Sequence, residues 1–219
     1  MRWHYLSAVA LVGTLSISTG VHAQFVTYNS QATFLAAIMN PGVDTFAGFS
    51  TTGTTASPIS RTAGVYGYTA FVTAREDFFG AGTVGNPSLS TNNATDAVTF
   101  SDFTGNVGAV GGNFFTTNVE GAFESGGIIV TYTDASGARS TTLSAPTPSS
   151  FFGVVSISRT ISSLSVSAVQ PAEKFLFPAI DNLTLARTIV PEPDTYALLT
   201  TGLLGIGAAA RRRRPSQPR

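Results

Sequence analysis

The stretch Ile161-Ser162-Ser163-Leu164-Ser165-Val166-Ser167-Ala168-Val169 decides the fold. Leu164, Val166 and Ala168 alternate with serines, a period of two that sends apolar side chains to one face of a strand and hydroxyls to the other. One buried and one wet face is the mark of an antiparallel sheet that covers a core on a single side. Upstream, Ile128-Ile129-Val130-Thr131-Tyr132-Thr133 runs into Asp134-Ala135-Ser136-Gly137 and then Arg139 to Leu143, which reads as a hairpin with an Asp/Ser/Gly turn. Further strands are expected over 65–72, 97–103, 109–116, 151–157 and 175–185. Seven or more short strands parted by Gly, Pro and Asn turns predict an all-β sandwich over residues 24–190. One segment departs from this period. Residues 30–39 place Phe34, Leu35 and Ile38 on one helical face, with Asn29 or Ser30 to cap and Asn40-Pro41-Gly42 to stop, and predict a single short helix.

Composition agrees with that class. Only 11% of the 219 residues are charged, against roughly 25% in ordinary soluble domains. The polar surface is therefore made of Ser, Thr, Asn and Gly, which suits strands and turns better than Glu/Lys-faced helices. The formal net charge of zero hides a segregation. Between Gln24 and Val190 ten acids stand against six bases, a net −4, while Arg211-Arg212-Arg213-Arg214 concentrates positive charge near the end. A nucleic-acid partner needs a basic face on the folded domain to displace counterions, and the sequence offers none.

Both termini carry the features of targeting segments. Arg2 precedes an apolar run from Leu6 to Ile17, and Val21-His22-Ala23 puts small residues where signal peptidase reads them. The expectation is a signal peptide over 1–23, cut between Ala23 and Gln24. A permanent anchor is the other reading, but this run is shorter than the roughly 20 residues that span a bilayer. At the far end, Pro191-Glu192-Pro193 and Asp194 precede the uncharged segment 195–210 and then the four arginines. That segment suits one short transmembrane helix, with the arginines snorkelling to extend its reach and staying cytoplasmic by the positive-inside rule. The two ends, read separately, give one topology.

Pro191-Glu192-Pro193, a Leu/Gly/Ala-rich helix and a terminal Arg cluster together resemble the tripartite PEP-CTERM sorting domain, over residues 191–219. The resemblance implies processing by exosortase, an integral-membrane cysteine transpeptidase-like enzyme. The Pro-Glu-Pro motif would be its recognition site, and segment 195–214 would hold the substrate transiently at the inner membrane before delivery to the cell surface or beyond. It also implies an exopolysaccharide or biofilm-matrix setting. Within the middle, AVGGNFF (109–115), SSFFGVVS (149–156) and AIDNLTL (179–185) resemble recurrent elements of other such proteins, which favours a jelly-roll arrangement related to carbohydrate-binding modules.

Little catalytic chemistry is left after residue 23. His4 and His22 both precede it, no cysteine exists, and Lys174 is the sole lysine. Ser-His-Asp and Cys-His machines are excluded, as are His- or Cys-ligated zinc and copper. Gly80-Ala81-Gly82-Thr83-Val84-Gly85 matches GxGxxG in letters, but Asn86-Pro87 follows where a helix should open, so it reads as a glycine loop. Glu120 and Glu124 read as solvated acids of a turn, and no enzyme is expected. Asp44, Asp181 and Asn182 offer hard oxygen ligands to calcium from the two ends of the domain, although a capping role for Asp181 and Asn182 is the stronger reading. The expectation for 24–190 is thus a non-catalytic surface or matrix domain. The alternative is a carbohydrate-binding module, calcium-dependent or not, with Tyr28, Tyr66, Tyr68 and Tyr132 stacking on sugar rings.

Overall fold

The computed structural model describes residues 25–73, 76–157 and 159–189. In chain order these form β1 (Phe25–Tyr28), α1 (Gln31–Ala36), β2 (Ile38–Asp44), β3 (Thr54–Thr55), β4 (Ile59–Ala63), β5 (Tyr66–Val72), β6 (Phe78–Thr83) and β7 (Asn86–Thr91). They continue with β8 (Val98–Ser101), β9 (Ala109–Thr117), β10 (Ile128–Asp134), β11 (Gly137–Leu143), β12 (Phe151–Ser156), β13 (Ile161–Ala168) and β14 (Phe177–Thr188). The expected signal peptide, its Ala23–Gln24 junction, the Pro191-Glu192-Pro193 motif, segment 195–210 and Arg211 to Arg214 lie outside the described residues. Among the described residues no helix is long and apolar enough to cross a membrane.

The strands make two antiparallel sheets. The larger runs β1-β12-β9-β14-β7-β6-β3, with β2 also beside β14; the smaller runs β11-β10-β13-β8-β5-β4. From β7 onward the chain alternates between them except at the β10–β11 hairpin, so the larger sheet holds the block β12-β9-β14-β7 and the smaller the block β11-β10-β13-β8. The alternation read at 161–169 is realised on β13: Leu164 and Val166 are buried while Ser163, Ser165 and Ser167 are half-exposed. The inner faces meet in one core, where Tyr68, Phe100, Val130 and Leu164 of the smaller sheet join Leu89, Phe114, Ile180 and Leu183 of the larger.

The outer faces differ. That of the larger sheet is covered at one end by α1, whose Phe34 packs with Ala109, Val155 and Ala186. At the other end Phe123, from the loop after β9, packs on Phe115, ring centroids 6.4 Å apart. The smaller sheet turns a face of hydroxyls to solvent, with Thr99 Oγ1 donating to Ser165 Oγ (3.0 Å) and Thr131 and Ser140 hydrogen-bonded at 2.8 Å.

The predicted helix is corrected at its C-terminal half. It covers only Gln31–Ala36, and the expected stop Asn40-Pro41-Gly42 lies inside β2. The core explains this: Ile38 must reach the Phe34 cluster, and an extended chain from there pairs with β14. Pro41 is tolerated because β2 pairs with β14 alone and the register slips by one residue between Gly42 and Met39, with Asn40 at φ 51°. Ser30 precedes the helix, but its hydroxyl makes no capping bond. Gly80–Gly85 covers the end of β6 and the tight turn into β7. Gly82 has φ +82°, and a Cβ there would come within 2.6 Å of the Asn86 carbonyl oxygen. Gly80 lets β6 pass close to the Ser50 backbone, and no helix follows the run.

A second bulge organises β14. Asp181 pairs with Asn113 and Thr184 with Gly111, so three steps on β14 match two on β9, and Asn182 takes φ 52°. The extra residue flips the parity of the strand. Ile180 faces the core before the bulge, and Leu183 and Leu185 face it afterwards. At that point β14 also changes neighbour, from β7 (Ala179, Ile180) to β2 (Leu183 to Thr188).

Candidate functional site

The calcium expectation named Asp44, Asp181 and Asn182, and the fold brings them close without making them a ligand set. Asp44 closes β2 opposite Leu183, so its side chain points between the sheets. Its Oδ1 accepts from the Phe46 amide (2.7 Å) and from Arg61 Nη2 (2.8 Å). Its Oδ2 accepts from Arg61 Nε (2.7 Å) and from the Tyr68 hydroxyl (2.6 Å). Four donors fill the four lone-pair positions of a carboxylate, leaving none for a cation. Burial by itself would raise the Asp44 carboxyl, but the bonds from Arg61, Tyr68 and the Phe46 amide outweigh it and hold the group below its ordinary value. Burial and then the bond to Asp44 push the Tyr68 phenol far up. Asp181 Oδ1 accepts from the Asn182 amide at 2.7 Å. Burial raises the Asp181 carboxyl, the Asn182 amide pulls it back, and the charge of Asp44 raises it again. Both residues lie in the bulge of β14, with their bonds made inside the fold. Among the described residues no three of His, Cys, Asp and Glu gather closely enough to hold a metal.

Asp134 belongs to a second buried centre that the sequence did not suggest, since it reads there as part of a turn. It is 4% exposed. Oδ1 accepts from the Ser136 amide, 2.7 Å away, and from its hydroxyl, and Oδ2 accepts from Ser156 Oγ of β12 at 2.9 Å. Burial raises this carboxyl, but the Ser136 and Ser156 donors bring it below its ordinary value. The two glutamates stand apart from both centres: Glu120 is exposed in the turn after β9, and Glu124 pairs with Lys174.

The expected tyrosine platform is not formed. Tyr66, Tyr68 and Tyr132 are buried in the central core, and Tyr28 packs edge-on against Phe34 at 5.9 Å. Burying these rings is worth more to a domain poor in Leu and Ile than presenting them to solvent.

A different feature is open to a ligand. A groove of about 710 Å³ runs between the β1–α1 corner and the crossover from β11 to β12. Asn29, Ser30 and Gln31 line one side, Thr142 and Ser144 the other, and Phe151 lies between them. No Asp, Glu, Lys, Arg or His lines it among the described residues. The crossover is braced from within: the Thr147 amide donates to Ser150 Oγ at 2.9 Å, and Thr147 Oγ1 bonds Ser149 and Ser150 at 3.1 and 3.0 Å. It is also tied to the sheet, because Asn113 Nδ2 donates to the Ser150 carbonyl (3.0 Å) while Asn113 Oδ1 accepts from Asn182 Nδ2 (3.0 Å). Asn182, singled out in the sequence as a ligand, thus holds a groove wall through Asn113. No sequence signal marks this groove. Its residues are common Ser, Thr, Asn and Gln from four separate segments.

Residues 190–214 match the family model of the PEP-CTERM protein-sorting motif. The chain therefore carries a PEP-CTERM protein-sorting motif, which supports an exosortase substrate and implies export through the membrane toward the cell surface. No curated protein and no solved structure matches the chain.

Proposed function

We propose that this protein is a non-catalytic surface or matrix component, delivered by exosortase into an exopolysaccharide-rich envelope or biofilm. The observation that carries the reading is the sorting motif at 190–214, which begins two residues after β14 ends at Thr188. The sandwich is thus the cargo and the tail its address. In this scheme signal peptidase removes residues 1–23, and 195–210 holds an intermediate in the inner membrane with Arg211 to Arg214 cytoplasmic. Exosortase then acts at Pro191-Glu192-Pro193. The block order β12-β9-β14-β7 over β11-β10-β13-β8 is read here as a jelly roll, a scaffold that bears binding surfaces as readily as active sites. Non-catalytic work suits a domain whose buried carboxylates Asp44 and Asp134 are spent on structural bonds.

The experiment is to follow Glu192→Ala in the native host. Unprocessed full-length protein should accumulate in the inner membrane, and the extracellular fraction should lose it. Normal processing of that variant overturns the sorting reading. A carbohydrate-binding role, the second reading, is favoured by one observation, the uncharged polar groove beside Phe151.

A further inference from the structure

We infer that the groove between the β1–α1 corner and the β11–β12 crossover binds a neutral saccharide segment. The inference rests on the exopolysaccharide reading above and gives it a place and a ligand class. Size is the first argument. About 710 Å³ falls within the roughly 300–1,000 Å³ of ligand clefts.

Chemistry is the second argument. The side chains of Asn29, Gln31, Thr142 and Ser144 are exposed and make no hydrogen bond to other described residues, and the Ser30 hydroxyl makes no capping bond. An amide carries both donors and an acceptor, and a hydroxyl does both with one oxygen. That set matches the vicinal hydroxyls of a sugar ring, which also donate and accept. It does not match an anion. A uronate or phosphate entering the groove would lose water and find no cation among the described lining residues.

Rigidity is the third argument. Phe151 is half-buried, packed on Phe34 at 5.2 Å, and its ring edge lies where a Cβ on Gly111 or Gly153 would come within 2.8 or 3.0 Å. The ring is fixed against bare backbone and gives the groove an apolar contact for the C–H groups of a pyranose. The facing wall is held through Asn182, Asn113 and Ser150. A groove with fixed walls spends little ordering entropy on binding.

The test is affinity electrophoresis of the full chain, in mild detergent, through gels holding neutral glucan, galactomannan or xylan, and in parallel through alginate or pectate. At least one neutral polymer should retard it, and the two uronate polymers should not. Gln31→Ala with Thr142→Ala removes one exposed donor–acceptor from each wall and should weaken retardation by about tenfold. Thr131→Ala, on the open hydroxyl face of the smaller sheet, should leave it within about twofold. Both variants should keep the wild-type melting temperature, since all three positions lie at the surface. If Thr131→Ala weakens retardation and the groove pair does not, the groove assignment falls while the exopolysaccharide reading stands. If no neutral polymer retards the protein, or the uronates retard it more, the saccharide inference falls. The Glu192→Ala experiment is untouched by either result.

Discussion

Two aspartates stitch the sheets together at opposite edges of the sandwich, and they do so by different chemistry. At one edge Asp44 of β2 reaches across to Arg61 of β4 and Tyr68 of β5. The seam there is tight: a Cβ on Gly42 would lie 2.1 Å from the Ala63 carbonyl oxygen, so the two sheets touch backbone to backbone. At the other edge Asp134 of β10 meets only hydroxyls and an amide, from Ser156 of β12 and its own turn. One seam is an ion pair in a partly dry place, and the other a carboxylate dressed by neutral donors. In a chain with so few charges, the contrast shows where charge is used. It is spent on holding β2, a strand that pairs with β14 alone.

The largest effect should come from breaking the first seam. Asp44→Ala leaves the Arg61 guanidinium without its partner and the buried Tyr68 hydroxyl unpaired. Removing one member of a buried pair costs about 3–5 kcal/mol. Arg61 keeps some solvent contact, so the lower end, about 3 kcal/mol, is expected. For a domain of this size that corresponds to a fall in melting temperature of roughly 6–12 °C, to be read by calorimetry. A fall no larger than the one at the second seam would remove the distinction between the two.

At the second seam Ser156→Ala removes one of three donors to Asp134, which keeps the Ser136 amide and hydroxyl. The expected cost is about 1 kcal/mol, or roughly 2–4 °C. Acid should weaken both seams together. Asp44 and Asp134 have folded values below the ordinary 3.8, so their stabilising contribution is present above that value and is lost as pH falls through the folded values. Urea midpoints taken downward from neutral pH should therefore drop, and Asp44→Ala should converge on wild type at the acid end.

β10 and β13 are legible because their buried residues recur at every second position, and β11 because the Asp/Ser/Gly turn marks a hairpin. The strands left unread, β1, β3, β4, β6 and β7, are short or built from Ser, Thr, Gly and Asn, whose pattern is that of loops until a neighbour supplies hydrogen bonds. The helix was overextended because Ile38 suits both periods, and only the pairing of β2 with β14 decides between them. The site was the least legible part. The pairing of β2 with β14 sets Asp44 near Asp181, but their bonds depend on Arg61, Tyr68 and the bulge, which come from distant segments. Asp134 looked like a turn residue because its partner Ser156 lies 22 positions away.

The smallest effect is expected at Asp181, and it should carry the opposite sign from Asp44. Burial raises its carboxyl above the ordinary 3.8, and the Asp44 charge adds to the rise. A carboxyl with a raised folded value binds its proton more tightly in the folded state. It favours the fold below the ordinary value, and that advantage is lost as pH rises through the folded value. At neutral pH the protein thus holds a carboxylate in a buried place, facing another negative charge, for the sake of one bond from the Asn182 amide. Asp181→Asn keeps an oxygen for that bond and removes the charge. Its urea midpoint at neutral pH should equal or slightly exceed that of wild type, whereas Asp44→Asn should lower it. On acidification the two variants should approach wild type from opposite sides. Repeating the melts with added calcium chloride sharpens the case, since a ligand that binds only the folded state raises its stability. If Asp181→Asn is destabilising at neutral pH and wild type gains stability with calcium, the charge at Asp181 serves a cation. The bulge would then be a ligand loop as well as a turn in the strand.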